Sequence, residues 1–263
     1  MTSNTDQLLL QGVTAHQKGK LHDAMELYYS ILEFEPNNLD ANNNLGVVLN
    51  SLGKLDEAKI YFEKAIKINP NMAEAHNNLG RILLNNDNLT GAEASFIKAI
   101  TLKPNYLSAY NSLGITLTKL QNFVKAETIF KKVLELKPDH SSAHYSLGVV
   151  LHNLNKLDEA ITCFKKTLEI KSDNIDAQYS LGVSLLAIGK LDNAELSFKE
   201  VLKIKPDSFD THNGLGNIYL ELGRLQEAEV SLRKALVINP SYDVARYNLG
   251  LTLFTMKQYK KAS

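Results

Sequence analysis

Seven histidines and one cysteine are the side chains of this 263-residue chain best suited to hold a metal or to act as a nucleophile. A catalytic zinc needs three ligands converging on one ion, with a fourth position open. His140 and His144 stand four residues apart, and His152 follows on the same predicted helix. His76, His144 and His212, however, recur at one long, constant interval, which spreads them along the chain. Cys163 sits where Ser95, Ser197 and Ser231 sit in equivalent segments, a small helical position. There is no HExxH, GxGxxG, Walker or GxSxG signature. The reading is therefore no metal, no cofactor and no catalytic centre. Asparagine, serine and tyrosine form the other chemically capable group. A carboxamide carries both a donor and an acceptor and can pair with a peptide backbone as another peptide would.

Composition narrows the partner. With 29 Lys plus Arg against 29 Asp plus Glu the formal net charge is zero. A dedicated nucleic-acid binder needs clustered cations against phosphate, so no nucleic-acid partner is expected, and an RNA-reading helical-hairpin array is disfavoured. Lys131, Lys132, Lys137, Lys165 and Lys166 fall late in predicted helices, where cations complement the helix dipole. The start, MTSNTDQLLL, lacks the basic and apolar regions of a secretory signal, and no run reaches the ~18 apolar residues of a membrane span. A single cysteine forms no internal disulfide. These features predict a cytoplasmic protein with no membrane contact.

The elements that position the polar groups are set by a repeat. Gly12, Gly46, Gly80, Gly114, Gly148, Gly182, Gly216 and Gly250 follow one another at a constant step of thirty-four positions, and Ala24 to Ala262 keep the same step. All six prolines, Pro36, Pro70, Pro104, Pro138, Pro206 and Pro240, share another register, broken only at Ser172. Gly19, Gly53, Gly189 and Gly223 lie seven residues after the first set. Within a period, Leu45, Val48, Leu49 and Leu52 form one helical stripe, and Leu55, Ala58, Phe62, Ala65 and Ile66 a second. Gly53-Lys54 separates them as a turn, and Pro70 stops the second helix. Asn37, Asn71, Asn105, Asp139, Asp173, Asp207 and Ser241, directly after the proline register, are expected to cap the next helix. The unit is a helical hairpin, helix A then helix B. The repeated Gly and Ala are expected to let the two helix backbones approach, with Phe62, Phe96, Phe130, Phe164, Phe198, Tyr28 and Leu232 filling the space toward the next hairpin. One hairpin cannot bury enough apolar area to stand alone, so the hairpins must stack.

Leu-Gly in helix A, Ala and Phe in helix B and Pro near the end of a unit of this length resemble the tetratricopeptide repeat (TPR) family, most closely the superhelix of O-GlcNAc transferase-type proteins. The match runs from Leu45-Gly46 through Leu249-Gly250, and departs from the pattern at Gln11 and Ser172. Ser172 is expected to loosen the junction between repeats five and six, with Asp173 still capping. The resemblance implies an all-α, right-handed α-solenoid of stacked helix-turn-helix hairpins, its concave groove lined by helix A. A leader of residues 1–4 precedes one array, with repeats at 5–38, 39–72, 73–106, 107–140, 141–174, 175–208 and 209–242 and a partial one at 243–263.

Groove candidates lie three and two residues before the repeat Gly, and one and four after it. Three before are Asn43, Asn77, Asn111, Tyr145, Tyr179, Asn213 and Tyr247; two before are Asn44, Asn78, Ser112, Ser146, Ser180, Gly214 and Asn248. Arg81 and Asn217 are candidates one after it. By resemblance, an Asn ladder at the Asn44, Asn78 and Asn248 register would hold an extended peptide, here interrupted by Ser112, Ser146, Ser180 and Gly214. The carboxylate-clamp mode of the family is not expected, because Asn43, Asn77, Asn111 and Tyr145 occupy its lysine register. The sequence thus predicts a protein-interaction scaffold for extended peptides or partner helices. The alternative is a non-catalytic recognition arm of a longer transferase or oxygenase, since Ala262 would open a helix B that Ser263 leaves incomplete.

Overall fold

A computed structural model describes the backbone of residues 4–262 and the side chains of residues 4–258. The described residues form helices and turns with no strand, an all-α solenoid built of hairpins in chain order. The chain divides into two compact units, residues 1–138 and 139–263. The first holds α1 (Asn4–Gln17), α2 (Leu21–Phe34), α3 (Leu39–Ser51), α4 (Leu55–Ile68), α5 (Ala73–Asn85), α6 (Leu89–Leu102), α7 (Leu107–Lys119) and α8 (Phe123–Leu136). The second holds α9 (Ser141–Asn153), α10 (Leu157–Ile170), α11 (Ile175–Ala187), α12 (Leu191–Ile204), α13 (Phe209–Glu221), α14 (Leu225–Ile238) and α15 (Asp243–Ala262). Within each unit, successive A helices touch (α1 with α3, α3 with α5 and α5 with α7; α9 with α11, α11 with α13 and α13 with α15). Successive B helices do not, so the A side of each unit is the inner side.

The repeat Gly works differently from the sequence expectation. It makes room for an aromatic ring, not for a helix backbone. A Cβ on Gly12, Gly46, Gly80, Gly114, Gly148 or Gly182 would lie 2.6–2.7 Å from the ring of Tyr28, Phe62, Phe96, Phe130, Phe164 or Phe198, the residue sixteen positions on in the same hairpin. At Gly216 the atom met is Leu232 Cγ, at 2.5 Å. These rings are at most 1% exposed and are the largest fully buried side chains. Burying one contributes about 1.5–3 kcal/mol. Ala24, Ala58, Ala92, Ala126, Ala160, Ala194 and Ala228 are all 0% exposed, so nothing larger fits the B-helix side of the seam.

Helix capping is shifted by one residue from the expected positions. Asn38 Oδ1 accepts from Ala41 N at 3.0 Å, Asn174 Oδ1 from Ala177 N at 2.9 Å and His140 Nδ1 from Ala143 N at 3.2 Å. Asn71 and Ser241 instead donate their backbone N–H groups to Asn69 and Asn239 Oδ1, inside the turn that Pro begins. The residue after Pro is spent on closing that turn, and the next one becomes the cap. Asn174, not Asp173, therefore starts α11, and the junction at Ser172 keeps the turn-and-cap pattern of its neighbours.

The A-to-B turn needs a left-handed residue. Gly19, Gly53, Gly189 and Gly223 have φ of 71–77°, and Asp87, Gln121 and Asn155 take φ of 56–58° at the same register. Lys257 occupies that register in the last repeat, and there the chain stays helical: α15 runs unbroken from Asp243 to Ala262. The expected turn before a new helix B at Ala262 does not form. A lysine has no cheap route into the left-handed region, whereas continuing the helix costs it little.

Three outcomes follow for stability. Gly46→Ala is expected to destabilise by about 1–3 kcal/mol through overpacking against Phe62, whereas Gly250→Ala, with nothing within 4 Å of the new Cβ, gains up to ~1 kcal/mol of helix propensity. Gln121→Gly relieves a left-handed non-glycine and should raise stability by about 0.5–1 kcal/mol after the entropy of the freer unfolded chain is counted. Urea titrations of the three variants beside the parent chain read both signs.

Candidate functional site

The inner face of each unit carries the side chains that the buried stripe leaves over. In the first unit, helices α3, α5 and α7 present the register three before the repeat Gly: Asn43, Asn77 and Asn111. Asn43 is 8% and Asn77 3% exposed, and Asn111 is half-buried. All three Oδ1 atoms are buried without a hydrogen-bond partner. Asn43 Nδ2 reaches Asn44 Oδ1 only at 3.4 Å, a weak contact. Asn44, Asn78 and Ser112, one residue later, are half-buried, and Arg81 is exposed beside them. Buried polar atoms in folded proteins are almost always satisfied, so three orphans in one repeated register need a reason.

In the second unit the same register turns aromatic. Tyr145 tilts against Phe164 with ring centroids 6.0 Å apart, and Tyr179 against Phe198 at 5.7 Å. Burial pushes both phenols above their ordinary range; the Ser180 hydroxyl opposes this at Tyr145, whereas the Asp210 carboxylate adds to it at Tyr179. Ser146 and Ser180 are half-buried, as is Asn217. Asn248 Nδ2 donates to Asn213 Oδ1 at 3.1 Å, joining neighbouring A helices, and Tyr247 is 72% exposed. Gly214 interrupts the polar series for a packing reason: a Cβ there would meet Phe198 Cε2 at 2.8 Å.

Two cavities flank Tyr179. One, of about 130 Å³, lies between α9 and α11 and is lined by Val149, His152, Asn153, Phe164, Tyr179, Ser180 and Val183. It joins all four registers singled out from the sequence, including the valines one residue after the repeat Gly, which a search for polar groups passes over. The second, of about 480 Å³, includes Tyr179, Asp173, Asp176, Ser208 and Asp210, with Lys171 and Lys205 on its border.

The histidine series has a structural use that sequence reasoning missed. His76 Nε2 and His212 Nε2 each stand 2.9 Å from a proline carbonyl six residues earlier, Pro70 O and Pro206 O. Asn42 Nδ2 does the same to Pro36 O at 3.0 Å and Arg246 Nη2 to Pro240 O at 2.7 Å. Proline ends a helix and leaves a carbonyl in the connecting turn, and the first turn of the next A helix supplies its donor. The signal was the constant spacing of six from proline to a donor. Among the described residues no group of three His, Cys, Asp or Glu side chains could hold a metal, and no helix is long and apolar enough to cross a membrane.

Stacked two-helix hairpins of fixed length, with a ring-on-glycine seam and a polar inner face, define a repeat-built α-solenoid of the protein-interaction type. Tetratricopeptide repeat models match residues 39–72, 61–94 and 105–173, and a TPR repeat model matches 184–223 and 216–257. The chain belongs to the tetratricopeptide repeat family, whose members act as protein-interaction scaffolds. No curated protein matches it. Among solved structures it is similar to YrrB, a TPR protein described as having an unusual peptide-binding site, at 26% identity and TM-score 0.64, over 71% of this chain and 96% of that one. MamA aligns at 27% identity and TM-score 0.59, over 64% of this chain and 92% of MamA. A tetratricopeptide repeat protein of Parabacteroides merdae shares the fold at 20% identity and TM-score 0.65, over 95% and 98%.

The orphaned carboxamides carry a measurable cost. Replacing Asn77 by leucine removes an unsatisfied buried acceptor, which costs about 1–3 kcal/mol. Asn77→Leu should therefore raise the urea midpoint of the chain, and a lowered midpoint would show that the amide is paired.

Proposed function

We propose that this chain is a non-catalytic scaffold that holds an extended peptide along the inner, A-helix face, with the carboxamides of the first unit reading its backbone. The observation that carries this reading is the row of Asn43, Asn77 and Asn111, whose Oδ1 atoms are buried with no donor. A peptide N–H donated to these oxygens would remove a cost that the free protein bears. Asn44, Asn78 and Ser112 stand one residue further along each helix and supply both donors and acceptors. An extended backbone is the partner that offers such groups at regular intervals whatever its side chains. The carboxamide ladder rests on two adjacent registers, not one. YrrB, which is 26% identical, is described as a TPR protein with an unusual peptide-binding site, which supports a peptide as the partner.

The test separates stability from binding. In a peptide-array screen followed by titration of the best binders, the Asn43→Leu/Asn77→Leu chain should bind at least tenfold more weakly while unfolding at a higher urea concentration. Asn44→Ala/Asn78→Ala should also weaken binding. Unchanged affinity in both double variants would remove the carboxamide reading.

A further inference from the structure

The two cavities on either side of Tyr179 say more about the guest than the carboxamides do. The smaller one has aliphatic and aromatic walls in Val149, Val183, Phe164 and Tyr179, together with the polar groups of His152, Asn153 and Ser180. At about 130 Å³ it is close to the size of engineered apolar cavities that stay dry and accept a small hydrocarbon. His152 Nδ1 lies 2.9 Å from Ser184 Oγ, which also reaches Ser180 O at 2.9 Å, so the ring is anchored through Nδ1. Nε2 is then the ring atom left to hydrogen-bond at the cavity that His152 lines. A largely apolar cavity with one such polar atom on its wall suits an aliphatic side chain whose neighbouring backbone can hydrogen-bond to imidazole.

The larger cavity adds charge. Asp173, Asp176 and Asp210 border it, and none of the three is ion-paired among the described residues. Lys171 and Lys205 lie on the same border without bridging to them. Asp210 also faces the Tyr242 phenol, which burial and this carboxylate push up to about 12. Unpaired carboxylates beside a tyrosine ring favour a cation.

Resting on the peptide-scaffold reading, we infer that the second unit is a side-chain reader for an extended segment carrying an aliphatic residue and a lysine or arginine. The aliphatic side chain enters the cavity between α9 and α11, His152 Nε2 hydrogen-bonds an adjacent backbone group, and the cation lies across Tyr179 against Asp176 and Asp210. In an extended chain, side chains two apart point the same way and are separated by about 6.6 Å. The two residues would then lie in the two cavities that Tyr179 borders. The preference thus comes from the second unit, while the first unit grips backbone of any sequence.

Fluorescence anisotropy with a fluorescein-labelled glycine-serine peptide, bearing one leucine and one lysine two residues apart, tests this on the intact chain. Replacing the peptide leucine by serine, or Val183→Lys in the protein, should each weaken binding at least tenfold. Replacing the peptide lysine by glutamate should weaken binding severalfold in the parent chain and much less in Asp210→Asn. Because Val183→Lys alters a half-buried site, methyl resonances of Val149 and Val183 in the unaltered chain give a second readout, shifting with the leucine peptide and not with the serine one. If peptides bind in an Asn77-dependent way but are indifferent to leucine, and the valine methyls stay still, the reader is overturned and the scaffold reading survives. If no peptide of any composition binds, both fall.

Discussion

The contact on which the rest depends is a ring lying on a missing side chain. Each repeat Gly from Gly12 to Gly216 sits under the aromatic ring, or under Leu232, of the residue sixteen positions on, at a distance where even a methyl group would collide. That contact sets how closely helix B lies on helix A within a hairpin. It also determines which residues of helix A remain for the inner face. The Leu-Gly pair is buried by the seam, so the residues two and three positions earlier are driven to the edge of the core. This is why the groove registers are half-buried and not fully solvated, and why their polar atoms are poorly satisfied.

The same constraint produces two different surfaces. At Asn43, Asn77 and Asn111, three before the repeat Gly in the first unit, the carboxamide is drawn against the core and its oxygen loses water without gaining a donor. At Tyr145 and Tyr179 the ring joins the seam as a second aromatic layer against Phe164 or Phe198. The hydroxyl end then stays near Asp210 in the case of Tyr179. A stability cost is concentrated in one unit and an apolar cavity in the other. Both are consequences of a single packing rule applied to different side chains. Marginal repeat proteins tolerate such costs where the exposed face has work to do.

Much of the fold was legible because its determinants are local and repeated. A Gly, an Ala and a Pro that return once in every period specify hairpin length, seam and stop signal whatever the surroundings. Misreadings arose where two local roles compete for neighbouring residues. The residue after Pro has the chemistry of a cap, but Asn71 and Ser241 are used to close the turn, and Asn38 and Asn174 cap one position later. The dispersed histidines, not read as a metal site, had a use the sequence did not announce: His76 and His212 donate to the carbonyls of Pro70 and Pro206. The left-handed turn position is conspicuous at Gly53 but hidden at Asp87 and Asn155, whose side chains enter that region more readily than most, and at Gln121, which takes the same φ. Lys257 does not take it, and the helix runs on.

By itself, the sequence determined the helical-hairpin unit and its period, because these follow from residue type and helical geometry. Only the tertiary structure decided which polar atoms in the groove registers are buried without partners. It alone paired His152 with Ser184 and placed Val149 and Val183, a full repeat apart in the chain, around one cavity. Those are properties of stacked neighbours, and the period that reveals the stacking is blind to what each neighbour presents.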